Sequence, residues 1–216
     1  MKIVVVKRTE QASLAIAQLI NEHMAQNEKI LWLISGGSSI PIATQAARLI
    51  QNSDNLLLTT LVDDIYGVDE VDTNWHKLRA QGSRLNAEPI LQLNKSLEET
   101  GEHFSNKLGD YLKEVDFAIG QFGIGDGYHT GGIQPGSVAT APTDELAIGY
   151  RDGKTARVTV TPALISCLDV AFVNSFGRAK LELVRHFLKS NASVVDEPTQ
   201  ALKQAKNTYL YTDVIQ

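Results

Sequence analysis

The chain has 216 residues, enough to bury a full core, and its 43% hydrophobic and 21% charged residues are ordinary globular values. A formal net charge of −5 argues against nucleic acid or an anionic membrane as the main partner, since both ask for a basic surface. It leaves room for a small anionic ligand gripped by a few local arginines. Cys167 is the only cysteine, which excludes an internal disulfide and a thiolate zinc cluster. The N-terminal apolar run is too short for a signal peptide and no stretch approaches a membrane span, so the expectation is a soluble cytoplasmic protein.

Lys2 to Val6 predicts a short strand, and Thr9 is expected to cap a helix whose apolar residues Leu14, Ile16, Ala17, Leu19, Ile20 and Met24 recur at helical spacing. Ile30 to Ile34 is continuously apolar, as a strand covered on both faces should be. It runs into Ser35, Gly36, Gly37, Ser38 and Ser39, then Pro41 and a second helical pattern to Ile50. Such a strand, turn and helix aims backbone N–H groups and serine hydroxyls at one spot, where the helix dipole favours an anion. Ser35, Gly36, Gly37 and Ser38 are therefore candidate ligand-binding positions. An ordinary helix start explains Ser39 and Pro41 without a ligand, but not the Gly-Gly pair.

Leu56 to Val62 predicts a third strand ending at Asp63 and Asp64, followed by a polar loop from Ile65 to Trp75. Carboxylates at a strand's C-terminal end lie where open α/β sheets bind ligands, and a solvated acidic loop is the alternative. Thr73 predicts a helix start, Pro89 to Leu93 a minor strand, and Ser96 the start of a long helix through Leu112. Phe117 to Ile119 predicts a buried strand feeding the loop Gly120 to Gly136, which holds seven of the sixteen glycines. Glycine at that density suits backbone that must turn or approach a ligand closely. The loop carries Asp126, Thr130 and His129, whose imidazole can act as a base near neutrality. A glycine turn with a surface histidine is the alternative. His23, His103 and His186, on predicted helices, are expected at the surface or in packing.

Asp152 and Gly153 predict a hairpin joining Glu145–Tyr150 to Arg157–Thr161. Alternation puts Arg157, Thr159 and Thr161 on one face, ordinarily a solvent face. Pro162 begins a short helix, Asp169 to Phe176 reads as another buried strand, and Gly177 and Arg178 introduce a helix through Leu188. Arg178, at that strand-to-helix turn, either grips an anion or lies on the surface. Tyr209 to Thr212 is expected to close the sheet. No repeat or linker interrupts the pattern, so residues 1–216 are expected to form one α/β unit.

The wording of these turns resembles the 6-phosphogluconolactonases. Their Leu-Ser-Gly-Gly-Ser-Thr-Pro is close to Ile34 through Ser39, with Pro41 one place late. Their Gly-Met-Gly-Pro-Asp-Gly-His-Thr-Ala-Ser-Leu-Phe-Pro-Gly matches Gly123, Gly125, His129, Thr130, Pro135 and Gly136 without a gap. Their Arg-Val-Thr-Leu-Thr-Pro matches Arg157 to Pro162, and their Gly-x-x-Lys-Ala helix start resembles Ser175 to Ala179. The wider superfamily includes glucosamine-6-phosphate deaminase, whose loop glutamate is replaced near Gln134 here. Three departures stand out. Ile65 occupies the arginine position of the lactonase Asp-Glu-Arg, Pro-Asp-Gly becomes Asp126, Gly127 and Tyr128, and Gly131 and Gly132 replace Ala-Ser.

The resemblance implies a modified Rossmann-like α/β fold, a mostly parallel sheet flanked by helices. It also implies a cytosolic enzyme of the pentose phosphate pathway that hydrolyses a phosphorylated sugar lactone, with no obligatory metal or organic cofactor. In that reading His129 activates water and Asp126 or Asp63 orients its imidazole. Ser35, Gly36, Gly37, Ser38, Gly125 and Thr130 surround the substrate, while Arg157 and Arg178 hold the phosphate. Two alternatives stay open: a deaminase or isomerase moving a proton with Asp63 or Asp64, and a sugar-phosphate-binding protein without chemistry.

Overall fold

The structure is a computed structural model that describes residues 1–51, 55–82, 85–92 and 94–214. Six parallel strands form its main sheet. In chain order they are β1 (Lys2–Val5), β2 (Ile30–Ile34), β3 (Leu57–Leu61), β5 (Phe117–Gly123), β8 (Val170–Ser175) and β9 (Asn207–Thr212), and in space they run β1-β9-β8-β5-β2-β3. A smaller antiparallel sheet has the order β4-β7-β6, from β4 (Asp63–Tyr66), β6 (Ala147–Asp152) and β7 (Thr155–Val160). The α/β architecture expected from sequence is the one present.

The central strands β2, β5 and β8 explain their own sequences. All of β2 and β8 is buried, and only the ends of β5 are less so, so neither face of these strands tolerates polar alternation. The helices are α1 (Thr9–Ala25), α2 (Ser39–Leu49), α3 (Asn74–Ala80), α4 (Leu97–Glu114), α5 (Pro162–Cys167) and α6 (Leu181–Lys189). Thr73 caps α3 by accepting from the His76 N–H at 3.1 Å, and Ser96 with Glu99 closes a capping box on α4. Among the described residues no helix is long and apolar enough to cross a membrane.

Several expectations change. Arg8, not Thr9, is the N-cap of α1, and the Gln11 side chain accepts from the Lys7 and Arg8 N–H groups there. Ile65 and Tyr66 are strand rather than loop, because Asp63 to Tyr66 pairs its backbone with β7, Ile65 opposite Arg157. Residues 89–92 form no strand; the single bridge of that stretch joins Glu88 to Thr60, and Pro89 has no N–H to extend it. Leu93 lies outside the described residues. The polar face of β7 does not meet solvent: Thr159 and Thr161 are fully buried. Tyr209 to Thr212 does join the sheet, as part of β9, and takes the place between β1 and β8.

Candidate active site

The Ser35–Ser39 turn follows β2, and the loop after Gly123 follows β5, its neighbour, so both leave the C-terminal ends of adjacent parallel strands. They enclose a cleft of about 340 Å³ lined also by Asp63 and Ile65 of β4, Asn74, Arg157 of β7 and Lys180. That volume is within the ordinary range for small-molecule sites. Of the predicted residues, Ser35, Gly36, Gly37, Ser38, Asp63, Gly125, Asp126, His129 and Arg157 all line it.

The glycine loop is shorter than expected and tied down. Gly120 to Gly123 belong to β5, where Gln121 and Phe122 are fully buried. Beyond them, Gly125 N–H donates to the His129 carbonyl at 2.9 Å and Tyr128 N–H to the Gly125 carbonyl at 3.1 Å. Gly132 N–H donates to Thr159 Oγ1 at 3.1 Å, and Tyr150 Oη to the Gly132 carbonyl at 2.5 Å. These bonds fasten the loop to the small sheet, which rules against a loose surface turn. Gly125 has an ordinary φ of −90°, so its need for glycine is one of space: a Cβ there would collide with the His129 ring.

His129 Nδ1 lies 2.8 Å from the Asp126 carbonyl oxygen. A carbonyl only accepts, so Nδ1 carries the proton and Nε2 keeps its lone pair. The Asp126 carboxylate is elsewhere: it pairs with Lys180 Nζ at 2.7 Å, which holds it below the usual carboxylate range. Asp126 thus orients the imidazole through its backbone, not through the carboxylate that the sequence suggested. Thr130 is buried with its hydroxyl on the Gly123 carbonyl at 2.9 Å, so it shapes the loop rather than lining the cleft.

Arg178 is exposed and stands outside the cleft wall; Lys180 is in it. The spacing explains the difference. Gly177, Arg178, Ala179 and Lys180 themselves read Gly-x-x-Lys, two residues later than the match from Ser175, and Gly177 takes the positive φ of 92° at the turn. Arg157 is half-buried with no carboxylate in salt-bridge range among the described residues, and its Nε is buried without a hydrogen bond. It is therefore a cation with unused donors at the wall of the cleft.

Asn74 was missed as a wall residue, although its place after a capping threonine was legible. Its Nδ2 donates to the Asp63 carbonyl at 3.0 Å and to Asp63 Oδ2 at 3.3 Å, and a Cβ on Gly36 would collide with it. Asp64 spends both carboxylate oxygens on backbone N–H groups, Oδ1 on Ile65 and Asn74 and Oδ2 on Trp75. Those bonds make it a structural cap of α3.

Asp63 is buried with Oδ1 lacking a hydrogen bond of good geometry, and burial, reinforced by the Asp64 charge, pushes its pKa up to about 6 despite Arg157 and the nearby Gly36 N–H. A carboxyl whose folded pKa exceeds its unfolded value of 3.8 destabilises the fold when ionised. That penalty is full above pH 6, fades as pH falls from about 6 to 4, and is absent below. We expect Asp63→Asn to gain stability over wild type at neutral pH, by up to roughly 3 kcal/mol, with no gain at pH 4. Chemical denaturation of both proteins across that range reads this directly, and a gain independent of pH would contradict it.

The sequence profile described as glucosamine-6-phosphate isomerases/6-phosphogluconolactonase matches residues 6–211. A search of curated proteins finds no match. Solved structures similar to this chain include a 6-phosphogluconolactonase from Shewanella baltica, 20% identical with a TM-score of 0.78, covering 98% of this chain and 96% of that one. A 6-phosphogluconolactonase from Plasmodium vivax is 15% identical with a TM-score of 0.82, covering 99% and 90%. A monomeric glucosamine-6-phosphate deaminase is 20% identical with a TM-score of 0.77, covering 98% and 97%.

Proposed function

The chain belongs to the glucosamine-6-phosphate isomerase and 6-phosphogluconolactonase family, and from that premise we propose that it hydrolyses a phosphorylated sugar lactone, 6-phosphogluconolactone being the type. The observation that carries this reading is His129: a cleft imidazole whose Nε2 lone pair is left free by the Nδ1 bond and whose ring no carboxylate among the described residues touches. A lactone carbonyl is electrophilic enough for a water activated by one such base, so no covalent nucleophile is required. His129 Nε2 takes the water's proton as the oxygen adds to the carbonyl carbon. The tetrahedral oxyanion is held by N–H groups of the Ser35–Ser39 turn; those of Gly37 and Ser38 have no hydrogen-bond partner among the described residues. Collapse breaks the ring C–O bond, and the imidazolium returns its proton to the leaving alkoxide.

Arg157 and Lys180 supply the charge for the phosphate. Arg157 offers unused guanidinium donors, and Lys180 can exchange Asp126 for a phosphate oxygen. With Ile65 standing opposite Arg157 in place of the family's arginine, Arg157 carries this task without a cross-strand second guanidinium. We expect Arg157→Ala to weaken the phosphorylated lactone more than tenfold, roughly 1.5–3 kcal/mol, and its unphosphorylated analogue far less. The assay is acid release from freshly made phosphorylated and unphosphorylated lactones, corrected for spontaneous hydrolysis. Equal losses on both substrates would return Arg157 to a structural role.

A second reading rests on Asp63, a buried cleft carboxyl poised near neutrality that could carry a proton beside a carbonyl, as a deaminase requires. Ammonia release from glucosamine 6-phosphate by the wild-type protein, without acid release from lactones, would favour it.

A further inference from the structure

Only three described residues other than glycine have positive φ: Asn27, Asn94 and Tyr128, the last at 63°. Asparagine tolerates that region, whereas a bulky aromatic residue there is an outlier whose surroundings must hold it. Tyr128 follows Gly127, also left-handed at φ 72°, and precedes His129, so these two left-handed residues set the direction in which the imidazole leaves the backbone. The 6-phosphogluconolactonase pattern has glycine at this position, where no such holding is needed.

Besides its N–H bond to the Gly125 carbonyl, Tyr128 meets a second ring from outside the cleft. Its ring lies 4.4 Å from the His186 ring of α6, tilted by 31°. His186 Nε2 is 2.6 Å from Glu197 Oε1, and Glu197 Oε2 accepts from Gln200 Nε2 at 2.8 Å. Glu197 and Gln200 are both buried, so the far end of this chain of contacts is anchored in the protein. Neither Tyr128 nor His186 lines the cleft.

We propose that His186, fixed by Glu197, is a positioning residue: by bracing Tyr128 in its left-handed conformation it keeps His129 in the Nδ1–H tautomer with Nε2 open to substrate. The role of His129 as base rests on the lactonase reading above; the bracing does not. Without the stack, Tyr128 relaxes toward negative φ, the turn from Asp126 to His129 opens, and the Nδ1 bond to the Asp126 carbonyl is lost. A glycine at 128 adopts the same backbone without help, so the brace matters only while the residue there carries a side chain.

A double-mutant cycle tests this. Four proteins are compared, wild type, His186→Ala, Tyr128→Gly and the double variant, each with 15N-labelled histidine. The ring-nitrogen shifts of His129 report its tautomer, and lactone turnover supplies kcat and KM. His186→Ala is expected to turn the single Nδ1–H signature of His129 into a mixture and to lower kcat about tenfold with KM within about twofold. Tyr128→Gly is expected to resemble wild type, and adding His186→Ala to it should change neither readout. The idea fails if His186→Ala leaves the tautomer unchanged, or if it does the same damage in the Tyr128→Gly background. If no lactone is turned over, the lactonase reading falls while the tautomer readings still decide the brace. Loss of thermal stability with an unchanged His129 signature would reduce His186 to packing and overturn the proposal.

Discussion

His129→Ala is expected to lower turnover of a phosphorylated lactone at least about a hundredfold, the low end for losing a general base, while ligand affinity and folding stay near wild type. The fold should survive because the loop's own fastening does not use the imidazole alone. The Gly125 N–H bond goes to the His129 backbone carbonyl, and Thr130, Gly132 and Tyr150 supply the rest. Affinity should survive because Arg157, Lys180 and the Ser35–Ser39 turn are untouched. Turnover and product affinity measured on one preparation decide the matter. Turnover that persists in the variant would remove His129 from the chemistry and leave Asp63 as the group to examine.

The second large effect concerns stability. Where α4 crosses β6, backbone meets backbone: a Cβ on Gly149 would collide with the Leu97 carbonyl, and one on Gly101 with the Gly149 amide. No flexible side chain is available to move aside, so Gly149→Ala should cost about 3 kcal/mol, the upper end of ordinary overpacking. For a chain of this length that lowers the thermal midpoint by roughly 10 °C. Because Gly149 pairs with Val158, next to Arg157, the same change should weaken phosphorylated ligands. Gly109, on the same helix, is the control: the nearest atom to a Cβ there is Leu146 Cδ1 at 3.8 Å. Gly109→Ala should therefore stabilise, by up to about 1 kcal/mol, since alanine suits a helix better than glycine. A Gly149→Ala protein as stable as wild type would show that α4 can draw back freely.

The parallel sheet was legible because burial on both faces writes itself as unbroken apolar runs, as at Ile30–Ile34 and residues 170–173. The cleft loops after β2 and β5 were legible because glycine clusters have few other uses directly after such strands. What could not be read was pairing that depends on distant partners. Ile65 and Tyr66 look like the start of a polar loop until β7 lies beside them, and the polar face of β7 is buried in its turn. The Lys180 contact was missed by two residues because β8 ends at Ser175 and the glycine turn begins only at Gly177. Asp126 stands three residues from His129, yet proximity in sequence did not say which of its oxygens meets the ring.

The order β1-β9-β8 also constrains how the protein is made. Among the described strands β1 emerges first in synthesis, but the strand it pairs with, β9, emerges last, with nearly all of the described chain produced between them. Until then β8 presents an open edge and β1 has none of its ladder bonds, the kind of unpaired backbone that other nascent chains can capture. The residues of the cleft, from Ser35 to Lys180, have all left the ribosome by that point. Every segment that lines the cleft can therefore be out before the sheet is closed, and β9 is the bolt: sliding home beside β8, it draws β1 into the sheet with it.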